Sequence, residues 1–272
     1  MIFEKMTQLE KRLISSLFII IATSYAIFYA STLIFLAVTE VIIVIGLLEY
    51  FNLAERKGLV INRYLGVFFA ALLSLPMTLP TKTMILTIAV LCIFIFNFHR
   101  KLRENALVST AVTLFGIIYV GWFFSFISQI RSLPDGSWWI FYLLFMLKMG
   151  DAAAFFVGRK YGVHKYIVHI SPNKSIEGAI AGFVMTMLCS LTAKFYLPEI
   201  HFMDLAILGF VLGILGQFGD LAESLLKRDA NIKDSGIIPG LGGILDVIDS
   251  LLLTIPVLYY YLTVILDLSA VK

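Results

Sequence analysis

The residues of this chain that could do chemistry are concentrated in one stretch, residues 216–250. Its acidic side chains are Asp220, Glu223, Asp229, Asp234, Asp246 and Asp249, and its basic side chains are Lys227, Arg228 and Lys233. The chain around them is 60% hydrophobic and only 14% charged. Because charged groups are costly in so apolar a protein, the stretch predicts a functional site.

The spacing of these residues places them at two helix ends. Asp220, Glu223 and Lys227 occur at i, i+3 and i+7, with Ser224 at i+4, so they share one face at the end of an apolar helix. A polar, glycine-rich loop follows, and Asp246 and Asp249 then begin the next apolar segment at i and i+3.

Carboxylates in this arrangement suit Mg²⁺, which takes one or two protein carboxylates and completes its shell with water and phosphate. We therefore predict Mg²⁺ as cofactor, with a second metal or a monovalent cation left open. The predicted metal ligands are Asp220, Glu223, Asp246 and Asp249. The predicted phosphate-binding cations are Lys227, Arg228 and Lys233.

This stretch resembles the signature of the phosphatidate cytidylyltransferases, also called CDP-diacylglycerol synthases. The matching residues are Ser224, Lys227, Arg228, Lys233, Asp234, Pro239, Gly242, Gly243, Asp246 and Asp249. Leu241 stands where that family usually has His, and Val247 where it has Arg. The loop between Asp234 and Pro239 is one residue shorter than the corresponding loop of that family. The carboxylates and the Lys-Arg pair are all present.

A second charged stretch precedes the first. Lys148 and Asp151 lie at i and i+3 in an apolar segment, either as a mutually neutralising pair or as part of the site. The residues after them resemble a second stretch of the same family, with departures at Asn173, Ser175 and Ile176. The matching residues are Asp151, Gly158, Arg159, Ser171, Pro172, Lys174, Glu177 and Gly178.

Composition and hydropathy predict an all-α polytopic membrane protein, with about nine transmembrane helices and a cytoplasmic N-terminus. The apolar segments are 13–30, 32–51, 64–79, 83–98, 106–128, 138–157, 176–197, 203–224 and 246–267. Most of the 21 Lys and Arg residues fall in alternate connections, which include 158–175 and 225–245. By the positive-inside rule these connections face the cytoplasm. We expect one membrane domain, with residues 1–135 mainly scaffold and 136–272 catalytic.

The resemblance implies an integral-membrane nucleotidyltransferase that converts phosphatidate and CTP to CDP-diacylglycerol and pyrophosphate. The implied catalytic residues are Asp220, Asp246, Lys227, Arg228 and Asp249. The implied substrate-binding residues are Arg159, Lys174, Ser224, Lys233, Asp234, Asp151 and Lys148. We expect CTP, phosphatidate and membrane lipid as partners and no nucleic acid, with a homodimer left open.

The expected location is the cell inner (plasma) membrane, with the active site facing the cytoplasm. Two other interpretations stay open from the residues. The lipid substrate could be another lipid phosphate, or the chain could be a secondary transporter, since Glu40 is a carboxylate within the second apolar segment. The absence of an inverted repeat and the crowding of charges in the last third of the chain favour the enzyme.

Overall fold

The computed structural model describes residues 20–99, 105–232, 235–236 and 242–268, and the segments of regular structure there are helical. Residues 20–28 are helical (α1). They are followed by α2 (Thr32–Arg56), α3 (Arg63–Ser74), α4 (Leu79–His99), α5 (Ala106–Gly116), α6 (Phe123–Arg131), α7 (Gly136–Tyr161), α8 (Ile176–Thr192), α9 (Phe202–Asp229) and α10 (Ile244–Tyr260). A π-helical turn, Ile117–Trp122, joins α5 to α6, and another, Tyr261–Ile265, continues α10. The all-α class is confirmed for the described residues.

Seven helices in the described part of the chain are long and apolar enough to cross a bilayer. They correspond to seven of the predicted segments, which supports a multi-pass membrane protein. Of the other two, α3 is apolar but has only 12 residues, and the segment 13–30 is described only from residue 20. A total of about nine spans stays a prediction.

The chain divides into two compact units. The first comprises the described residues up to Ser128 together with those between Asp229 and Ile248. The second comprises Gln129–Arg228 and the described residues from Asp249 onward. The division falls inside α10, so that Asp246 belongs to the first unit and Asp249 to the second.

Close helix contacts hold the first unit together around an apolar core. That core contains Phe69, Leu73, Ile85, Ala89, Ile93 and Ile117. Gly121 lies so close to Ala70 that an added Cβ would come within 2.6 Å of the Ala70 methyl group. Inside the same unit, the Asn62 side chain donates to Asn97 at 3.2 Å, and Asn97 donates to Thr110 at 2.8 Å. These bonds give partners to the Asn97 amide and to the Asn62 NH₂ group, which would be costly to bury unpaired in an apolar surrounding.

Small residues bring α7, α8 and α9 together in the second unit. A Cβ at Gly178 would lie 3.1 Å from the Gly158 Cα, and one at Gly182 would lie 3.0 Å from the Gly150 carbonyl oxygen. Gln217 on α9 donates to the Ala179 carbonyl at 2.9 Å. Close backbone approach of this kind is the usual basis of helix association in membranes. It places the charged ends of these helices near one another within this unit.

Candidate active site

A lysine on α7 faces three carboxylates of the second unit. The Lys148 Nζ lies 3.2 Å from the Asp151 Oδ2, and both side chains are about half exposed, at 45% and 49%. Lys148 also interacts electrostatically with Asp249 and Asp220. The predicted i, i+3 pair is therefore present, and it forms part of a larger cluster of charges. We call Lys148, Asp151, Asp220 and Asp249 the carboxylate cluster.

The loop after α7 contributes a second cation to this cluster. The Lys174 Nζ lies 2.6 Å from the Asp220 Oδ2, and both side chains are partly buried. The two charged stretches of the sequence are therefore in direct contact. This contact connects residues 46 positions apart through a bond that is stronger than a neutral hydrogen bond.

Hydrogen bonds to α8 fix the course of this loop. The Ser175 hydroxyl accepts from the Gly178 N–H at 3.2 Å and caps α8. The His164 N–H donates to Glu177 at 3.1 Å, and the two side chains are 2.6 Å apart. Lys165 forms an isolated antiparallel bridge with Ser175. Together these bonds hold Lys174 beside Asp220.

Asp249 is buried, with 7% of its surface exposed, and lies in the first half of α10. Its Oδ1 accepts from the Ser250 N–H at 2.5 Å, and the carboxylate interacts with the negative charge of Asp220. Gly219 permits this proximity, because an added Cβ there would lie 2.5 Å from the Asp249 carbonyl oxygen. Two carboxylates that repel each other, one of them buried, favour a cation between them.

The Lys-Arg pair at the end of α9 has two different environments. Lys227 lies 2.5 Å from the Glu223 Oε2, and the pair is almost fully enclosed, with side-chain exposures of 12% and 0%. The Arg228 Nε donates to the Ile170 carbonyl at 3.0 Å and so contacts the loop that carries Lys174. Glu223 was predicted as a metal ligand, and the structure places its carboxylate on Lys227.

Asp246 lies in the first unit, at the start of α10. Its Oδ2 accepts from the Ser235 N–H at 2.9 Å, the Ser235 hydroxyl at 2.7 Å and the Gly243 N–H at 2.7 Å. A further carboxylate, Glu49 of α2, accepts from the first backbone N–H groups of α10. It also lies 3.1 Å from the Ser235 hydroxyl, whose single proton it shares with Asp246. Sequence reasoning missed Glu49, although an acidic residue nine positions after Glu40 in an apolar helix is a detectable signal.

Four predicted site residues remain, Arg159, Ser224, Lys233 and Asp234. Arg159 is exposed near the end of α7, and Ser224 is half-buried on α9. Lys233 and Asp234 lie outside the described residues. Tyr166, which was not predicted, lies near the cluster. Burial, followed by the negative charge of Asp220, raises the pKa of its phenol.

The chemistry of the carboxylate cluster fits a hard cation such as Mg²⁺. Within the described residues, no group of three acidic, His or Cys side chains is arranged to hold a metal ion. Mg²⁺ does not require three, because water and substrate phosphate usually complete its shell. Asp220 and Asp249 repel each other, and such an ion would add to the charge compensation that Lys148 and Lys174 already provide.

The fold and site together define a class: a polytopic helical membrane protein in which acidic and basic side chains from several helices converge. The family model described as "Cytidylyltransferase family" matches residues 10–265, and the chain belongs to that family.

Curated relatives agree with this assignment. Phosphatidate cytidylyltransferase of Bacillus subtilis (strain 168) is 41% identical over 151 residues, which cover 53% of this chain and 55% of that protein. The protein of the same name from Chlamydia muridarum is 40% identical over 135 residues, 47% of this chain and 44% of its own. The chain thus spans about half the length of these two. A further phosphatidate cytidylyltransferase, from Synechocystis sp., is 30% identical over 289 residues, covering 94% of this chain and 97% of that protein.

Proposed function

We propose that this protein is a phosphatidate cytidylyltransferase, which converts CTP and phosphatidate to CDP-diacylglycerol and pyrophosphate. The observation that carries the proposal is the contact between Lys174 and Asp220. It joins the two stretches that resemble this family, and it lies beside the carboxylates that suit a metal-bound triphosphate. The names of the relatives point to the same reaction.

In the proposed reaction, an oxygen of the lipid phosphate attacks the α-phosphorus of CTP in line, and pyrophosphate leaves. A phosphate monoester is already ionised near neutral pH, so no strong general base is needed. Catalysis then depends on positioning and charge stabilisation. One new P–O bond forms as the bond to the pyrophosphate oxygen breaks.

In this reaction the carboxylates would bind the metal ion and the basic residues would bind phosphate. Asp220 and Asp249 would hold Mg²⁺, and Asp246 stays a predicted further ligand. When bound, the ion would stabilise the negative charge that develops on the leaving oxygen. Lys174, Arg228 and the exposed Arg159 would bind phosphate oxygens, since a triphosphate at an anionic membrane surface needs local cations. Lys227, which was also predicted to bind phosphate, would act while paired with Glu223.

We also propose the finer topology: about nine spans, a cytoplasmic N-terminus, and an active site on the cytoplasmic face of the inner (plasma) membrane. The distribution of Lys and Arg supports this orientation. CTP is present on that side, and the acyl chains of the lipid would enter between helices from the bilayer.

Release of pyrophosphate by the purified protein in detergent tests the proposal. We expect release only when CTP, phosphatidate and Mg²⁺ are all present, and loss of release in Asp249→Asn and Asp246→Asn. Asp229→Asn is the matched control, since Asp229 is 58% exposed and pairs with Lys57.

Two results would redirect the proposal. Release with a different lipid phosphate, and not with phosphatidate, would keep the chemistry and change the substrate. No release with any lipid phosphate, from folded protein, would refute the enzyme assignment and favour a transporter.

A further inference from the structure

Glu49, a residue of α2, lies among the backbone donors at the start of α10. Its carboxylate accepts from the Ile244 N–H at 3.1 Å and from the Leu245 N–H at 2.8 Å. It also lies 3.1 Å from the Ser235 hydroxyl, which has one proton to share between Glu49 and Asp246. Glu49 has only 8% of its surface exposed. All of these residues belong to the first compact unit.

These bonds have an electrostatic basis. The first four N–H groups of a helix have no partner within the helix, and the helix dipole makes this end positive. A capping side chain normally comes from the residue next to the helix. Here the cap for Ile244 and Leu245 comes from a residue 195 and 196 positions earlier in the chain. The start of α10 is therefore fixed to α2 and not only to its own loop.

The Glu49 carboxylate also lies so close to the backbone before α10 that only glycine fits at two positions there. An added Cβ at Gly236 or at Gly243 would collide with the Glu49 carboxylate oxygens. Gly242 has a φ of +90°, and a Cβ there would lie 2.5 Å from the Asp246 Oδ2. The glycines thus allow the backbone to enclose two carboxylates, Glu49 and Asp246.

Ser235 links these two carboxylates. Its hydroxyl is 3.1 Å from the Glu49 Oε2 and 2.7 Å from the Asp246 Oδ2. Substitution of Glu49 would therefore alter the position of Asp246 in two ways, through the Ser235 hydroxyl and through the first turn of α10. Glu49 itself needs no contact with substrate to have this effect.

We infer that Glu49 is a positioning residue, which fixes the start of α10 and through it the catalytic carboxylate Asp246. The inference rests on the proposed function for its catalytic consequence. It gives a role to a residue within 1–135, the part of the chain that was expected to be mainly scaffold.

Glu49→Gln tests this inference, since it keeps the volume of the side chain but replaces an accepting oxygen with an NH₂ group. Glu55→Gln is the matched control, because Glu55 is on the same helix and pairs instead with Arg63 at 3.5 Å. Two measurements are made on each purified protein: amide hydrogen exchange of the peptide that covers the start of α10, and steady-state pyrophosphate release.

We expect about tenfold faster exchange at Ile244 and Leu245 in Glu49→Gln, because a charge-assisted cap is lost. We also expect kcat to fall about tenfold or more, while the KM values for CTP and phosphatidate change by less than about twofold. Should Glu49→Gln fail to fold, Glu49→Asp keeps the charge but withdraws the carboxylate by one CH₂ group from Ile244 and Leu245, and it is expected to change both measurements in the same direction.

Unchanged exchange at the start of α10 would overturn the inference. So would faster exchange with an unaltered kcat, since Glu49 would then be a structural cap with no influence on Asp246. If the unsubstituted protein released no pyrophosphate at all, the proposed function would fail. The exchange comparison would still decide whether Glu49 holds the start of α10.

Discussion

Substitution of Gly219 by alanine should lower activity far more than it lowers helix content. A Cβ at this position would lie 2.5 Å from the Asp249 carbonyl oxygen and 3.1 Å from the Ser250 Cα. Both contacts are to the backbone of α10, which cannot rotate aside as a side chain can. Asp220 follows Gly219 directly. The added methyl group would therefore displace Asp220 and Asp249, the two carboxylates proposed to hold Mg²⁺, relative to each other.

The size of the effect follows from these distances. Ordinary contact of a Cβ begins at 3.4 Å, so the two backbones must separate by about 0.9 Å at this point. Overpacking of this kind costs about 1–3 kcal/mol of stability. A misplacement of about 1 Å at a catalytic group can lower the rate about 100-fold. We therefore expect folded protein with kcat reduced about 100-fold.

The assay is pyrophosphate release by Gly219→Ala beside Gly213→Ala, with thermal unfolding of both in detergent. Gly213 is a matched control on the same helix, since its added Cβ would meet only side-chain atoms, the nearest being the Thr186 Cγ2 at 3.3 Å. We expect Gly213→Ala to retain activity within a few-fold. Equal activity of the two variants would refute the argument that the approach of α9 to α10 sets the catalytic geometry.

Three further predictions concern charges. Glu223→Gln leaves Lys227 enclosed without its counter-charge, so we expect a loss of about 3–5 kcal/mol in thermal or denaturant unfolding; a loss below about 1 kcal/mol would contradict the enclosed pair. Lys174→Gln removes the partner of Asp220 and should raise the KM for CTP about tenfold. Lys165→Gln, in the same loop, is the comparison, and equal KM values for the two variants would contradict this role of Lys174. Chelation of Mg²⁺ should abolish pyrophosphate release and Mg²⁺ addition should restore it; full activity in excess chelator would exclude the proposed metal.

The helices could be predicted from sequence because hydropathy and segment length determine them directly. Seven predicted segments correspond to helices that could span a membrane. The apolar helix α3 shows where that reasoning weakens, since the segment predicted over 64–79 ends as a helix at Ser74. Hydropathy measures burial preference and does not register where a chain turns.

Contacts between neighbouring residues of one helix were also predictable. Lys148 pairs with Asp151, and Lys227 pairs with Glu223, at separations of three and four positions. The predicted assignment of Glu223 to a metal stays untested, because spacing alone does not determine whether a carboxylate takes a lysine or a cation as its partner.

The contacts between residues far apart in the chain could not be predicted from hydropathy or helical spacing. The bond from Lys174 to Asp220 depends on how the loop folds back onto α8. The bonds from Glu49 to α10 depend on the packing of helices nearly 200 positions apart. Neither arrangement leaves a periodic pattern in the sequence, so only the three-dimensional structure shows these partners.

The most direct test of the account is to follow each phosphate of CTP during the reaction with phosphatidate. With CTP labelled at the α-phosphate, we expect the label in the lipid extract as CDP-diacylglycerol. With CTP labelled at the γ-phosphate, we expect it in water-soluble pyrophosphate. Both products should require Asp249. Transfer of the γ-label to lipid, or of neither label by folded protein, would contradict attack at the α-phosphorus and with it the proposed function.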